Sequence, residues 1–79
     1  MPAREAHTYP PFLRRMIRGY ARQVAQADPA DFADMVAVRD YLDAYCHDVA
    51  RTMQQTHSWT DIAAALGVSR QAARQRWGK

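Results

Sequence analysis

The sequence predicts an all-α fold: a small four-helix domain with one long central helix, followed by two short helices joined at a tight corner. Three observations carry this expectation. Apolar residues recur at three- and four-residue spacing in separate stretches of the chain. Pro10, Pro11, Pro29 and Gly67 punctuate those stretches, with Gly19 as an internal exception. The length of 79 residues leaves room for one domain, in the size range where a single core gives marginal stability.

Residues 1–9 show no periodicity and are expected to form a flexible N-terminal arm, leaving residues 10–79 as a single helical domain. Pro10-Pro11 suits the first turn of a helix, where a missing N–H costs nothing. From Phe12, the residues Leu13, Met16, Ile17, Tyr20 and Val24 build one apolar stripe, with Arg14, Arg15, Arg18 and Arg22 mostly displaced to the other side. This helix should end near Ala27. Gly19 weakens it by about 1 kcal/mol relative to alanine, so close packing against a neighbour is expected there.

Asp28-Pro29 marks a break and a restart, with Asp28 as N-cap and Pro29 at the first helical position. From Ala30 to about Gln55 there is no glycine or proline, and Phe32, Met35, Val36, Leu42, Cys46, Val49 and Met53 keep a helical apolar stripe. One helix of about 39 Å follows at 1.5 Å per residue. Val38, Tyr41 and Tyr45 add a second stripe, suited to burial against the first helix or against another protomer.

Ser58 followed by Asp61 resembles a capping box and starts the third helix, whose inner face is Trp59, Ile62, Ala63 and Leu66. Small Ala63 permits a close crossing. Gly67 should end this helix by entering the left-handed region, Val68 should plug the corner, and Ser69 should cap the last helix.

Composition narrows the function. A single cysteine, Cys46, excludes an intrachain disulfide and fits a reducing cytoplasm. The first residues lack the apolar run of a signal peptide, and no stretch has the length of a membrane span. The net charge of +3 is unevenly spread: residues 1–30 carry +3, residues 31–50 carry −4 and residues 51–79 carry +4. A polyanion is attracted by the two ends and repelled by the middle. Many alanines and arginines beside a single lysine, Lys79, suggest a GC-rich coding genome.

The stretch Leu66-Gly67-Val68-Ser69-Arg70-Gln71-Ala72-Ala73 resembles the helix-turn-helix of DNA-binding regulators from high-GC Gram-positive bacteria and their phages, and is similar to region 4 of bacterial sigma factors. The resemblance covers residues 58–77 only. It departs from the family at Ala73, where a buried Val or Ile is usual, and Trp77 one turn later is the candidate for the missing apolar volume.

On a helical wheel, Arg70, Gln71, Arg74 and Gln75 fall within an arc of about 140°. Arginine reads guanine O6/N7 and glutamine reads adenine N6/N7, each as a bidentate pair in the major groove. The resemblance implies that Gln71 and Arg74 read bases. Ser69, Arg70 and Gln75 are candidates for phosphate at the start of the helix, and Arg14, Arg15, Arg18 and Lys79 are further phosphate candidates. Arg76 falls on the inward side, where pairing with an acidic residue of the long helix is expected. Trp59, Trp77, Tyr20, Tyr41 and Tyr45 are read as core or interface. Asp43, Cys46 and His47 stand within one turn, but a structural zinc site needs four ligands and no second cluster supplies them. No catalytic arrangement, cofactor site or metal site is expected, and so no enzyme.

The expected function is sequence-specific binding of double-stranded DNA by a transcriptional regulator, such as a phage or plasmid repressor or control protein, acting as a homodimer through the long helix. Two alternatives belong to other classes. One is an adaptor that binds RNA polymerase or a host regulator through residues 31–53. The other is a DNA-packaging or recombination accessory factor. Arginines of the last helix paired with the protein's own aspartates would favour the adaptor.

Overall fold

In the computed structural model, which describes residues 3–78, the chain is helical throughout with short connections, and no strand occurs among the described residues. A 3-10 helix over Ala3–Thr8 leads into α1 (Tyr9–Val24), followed by α2 (Pro29–Met53), α3 (Trp59–Leu66) and α4 (Arg70–Trp77). The arm expected over residues 1–9 is therefore helical from Ala3. Lys79, a phosphate candidate, lies outside the described residues.

The chain divides into two compact units, Met1–Ala37 and Val38–Lys79. In the first, α1 opens one residue before Pro10 and carries Arg22 in its last turn, a placement that complements the negative end of the helix dipole. It packs against the 3-10 turns that precede it. No described side chain of this unit is buried. Gly19 does not mark a close packing site: a Cβ built there would meet nothing within 4 Å. The start of α2 is fixed by the Asp31 carboxylate, which accepts the Asp28 backbone N–H at 3.2 Å. That reaches back from the third helical position, as the acidic half of a capping box does.

In the second unit, α3 and α4 pack on one another. The buried apolar residues are Ala50, Ala63 and Ala73, one each from α2, α3 and α4. A buried methyl contributes only about 0.8 kcal/mol. What Ala63 and Ala73 provide is close approach of the α3 and α4 backbones, and the larger side chains remain around the rim. Leu42, Val49, Met53, Ile62, Leu66 and Trp77 are among the residues lining an apolar groove of ≈ 280 Å³ between α2 and the two short helices. Leu66, expected on the inner face, is half exposed at this rim. Tyr41 and Tyr45 are exposed too, stacked edge to face with centroids 5.0 Å apart.

Candidate nucleic-acid interface

The corner between α3 and α4 is built by three residues. Ser58 caps α3, its Oγ accepting the Asp61 N–H at 3.1 Å. Gly67 ends α3 with φ 71° and ψ 28°. Its N–H donates to the Ala64 carbonyl and the Val68 N–H donates to the Ala63 carbonyl, the bond pair of a Schellman motif. Ser69 then takes an extended conformation, and its Oγ accepts the Ala72 N–H at 3.1 Å.

With the chain reversed this tightly, Ala63 and Ala73 meet at the crossing and are 3% and 1% exposed. Alanine at position 73 suits a crossing that already has alanine on the other side. It also explains why Val68 does not plug the corner. The valine stays 47% exposed, because the two methyls leave no hole for it.

On the outer side of α4, Arg70, Gln71, Arg74 and Gln75 line one shallow depression together with Gly78. All four side chains are exposed. Among the described residues none of them makes a side-chain hydrogen bond or an ion pair. Two guanidinium groups and two carboxamides thus share one face with their donors unspent.

Arg76 contrasts with them. Its Nη2 donates to Asp43 Oδ1 at 2.5 Å and its Nη1 lies 3.3 Å from His47 Nε2, as expected for an inward arginine on this helix. The guanidinium also covers the Trp77 ring, 4.1 Å from the centroid, and that ring meets His47 edge to face at 5.2 Å. The hydrogen bond from Arg76 holds the Asp43 carboxyl below its ordinary value, against the opposing effect of lost hydration, with the Arg76 and His47 charges adding to the lowering. His47 Nδ1 is buried without a hydrogen-bond partner among the described residues. Asp43 and His47, weighed above as metal ligands, are therefore committed to positioning α4. Their i, i+4 spacing was the available signal for a shared partner.

Trp77 and Trp59 are half-buried. Arg14, Arg15 and Arg18 are exposed on α1, in the other unit, and no ion pair engages them among the described residues. No helix among the described residues is long and apolar enough to cross a membrane. No family model matches this sequence, and neither a curated protein nor a solved structure matches it.

Proposed function

We propose that this protein binds double-stranded DNA by placing α4 in the major groove, with Gln71 and Arg74 on base edges and Ser69, Arg70 and Gln75 at phosphates. One observation carries the reading: four polar side chains of the types that read guanine and adenine stand together on α4 without side-chain partners among the described residues, while Arg76 on the same helix is held by Asp43. One arginine of α4, Arg76, is paired with the protein's own Asp43, which is the sign expected of the adaptor, whereas Arg70 and Arg74 on the outer face have no such pairing among the described residues. Phosphates are offered the free N–H groups at the start of α4 as well as side chains.

The biological role proposed is transcriptional regulation, of the kind exerted by a phage or plasmid repressor or control protein. One helix-turn-helix reads only a few base pairs, so selectivity requires two half-sites about 34 Å apart and hence a dimer, with α2 as the dimer element.

Fluorescence anisotropy tests the DNA reading. The protein should bind the duplex flanking its own gene more tightly than a random duplex, and lose affinity for both as salt rises. Binding to neither duplex at low salt would refute it.

A further inference from the structure

The apolar stripe of α1 is covered by nothing in its own unit. Tyr9, Phe12, Leu13, Met16 and Ile17 are between 43% and 56% exposed, and a lone helix of this length is marginal in water without a partner for its apolar face. A second uncovered stripe stands on α2: Val38, Tyr41 and Tyr45 are 55%, 65% and 53% exposed.

The two stripes differ in charge. On α1, Arg14 and Arg15 flank the stripe about 60° to either side at 100° per residue, and the helix contains no acidic residue. On α2, Asp34 and Asp48 bracket the other stripe one turn before Val38 and one turn after Tyr45. The Asp34 carboxylate has no partner among the described residues, and Asp48 pairs only with Arg51 of its own helix at 3.5 Å. Tyr45 feels this edge: the Tyr41 hydroxyl, lost hydration and the Asp48 charge push its phenol up.

Charge argues for what covers them: a stripe flanked by arginines and one bracketed by aspartates are complementary, and every copy of the chain carries both.

We propose that the covering partner is a second copy of this chain, with α1 of each protomer packed on the Val38–Tyr41–Tyr45 stripe of the other and Arg14 and Arg15 reaching Asp34 and Asp48 across the interface. The exchange is reciprocal, as a two-fold dimer requires. It rests on the dimeric reading given above, and its test reads association alone, so its failure is distinguishable from a failure to bind DNA.

Sedimentation equilibrium with charge-swapped chains tests it. The wild type should weigh twice the 9.0 kDa chain mass. The pair Arg14→Asp with Arg15→Asp, and separately the pair Asp34→Arg with Asp48→Arg, should each give monomers. An equimolar mixture of the two variants should restore the dimer, because each α1 then meets a stripe of opposite charge on the other chain. Circular dichroism on the mixture should regain any helicity that the single variants lose. A dimeric wild type whose variants remain dimeric, or whose mixture stays monomeric, overturns the exchange and leaves the dimer standing. A monomeric wild type overturns both, and a monomer that sediments with anionic lipid vesicles would assign the α1 stripe to a membrane surface.

Discussion

The first 37 residues and the remainder of the chain use apolar residues in opposite ways. Residues 9–24 carry large ones, Phe12, Leu13, Met16 and Ile17 among them, on a strongly one-sided helix, and none is buried. Residues 38–78 bury three alanines at a junction of three helices and hold the corner with two serine caps, a left-handed glycine and an ion pair. Amphipathicity declares only that a face wants covering. Small residues at a crossing, with the backbone bonds of the corner satisfied, already specify the partner.

The sharpest way to break this contrast is to enlarge the junction. Ala73→Leu adds three carbons at a site 1% exposed and should cost about 1–3 kcal/mol, because α3 and α4 must separate. Thermal melting by circular dichroism should show the loss, and an unchanged midpoint would mean that the crossing has slack.

Arg74→Ala addresses the same helix from its outer side. It should weaken a specific duplex by about 1–3 kcal/mol and relax one base position, with the melting midpoint unaltered. A folded variant that keeps its affinity and site preference removes Arg74 from base reading.

At Gly67 the cost is set by backbone alone, since a Cβ there would touch nothing within 4 Å. Gly67→Val should lose about 1–2 kcal/mol from the left-handed conformation, while Gly67→Asn should lose less. Equal melting midpoints for the two variants would show that the conformation at this position is not limiting. Ser69→Ala should cost about 1 kcal/mol of helix stability, read in the same melts.

The smallest effect concerns the Asp43–Arg76 pair. Asp43 is held below its ordinary 3.8, so the stabilisation is complete above that value and is lost as pH falls through the lower folded value. Asp43→Asn should reduce stability slightly near neutral pH and flatten its dependence below pH 3.8, which acid titration followed by circular dichroism would show.

Much of this protein is local in origin and was legible in its residues. Pro29 opening α2, Ser58 and Ser69 as caps, Gly67 as the stop of α3 and the shared outer face of Arg70, Gln71, Arg74 and Gln75 each depend on interactions within a few positions along the chain. The inward lean of Arg76 follows from the same periodicity, though its pairing with Asp43 rather than another aspartate does not. Misplaced expectations have one cause. Val68 and Leu66 were assigned to the interior, and Gly19 to a close crossing, on the ground that apolar or small residues at helical spacing are covered.

The sequence by itself determined where the helices start and stop and which side chains share a face, because caps, glycine conformations and the 3.6-residue repeat act over one or two turns. Only the tertiary structure decided that the core is made of alanines, that His47 and Asp43 hold Arg76, and that the α1 stripe stays open within its unit. Those outcomes depend on how closely backbones approach, and that distance is set by the packing of residues far apart in the chain.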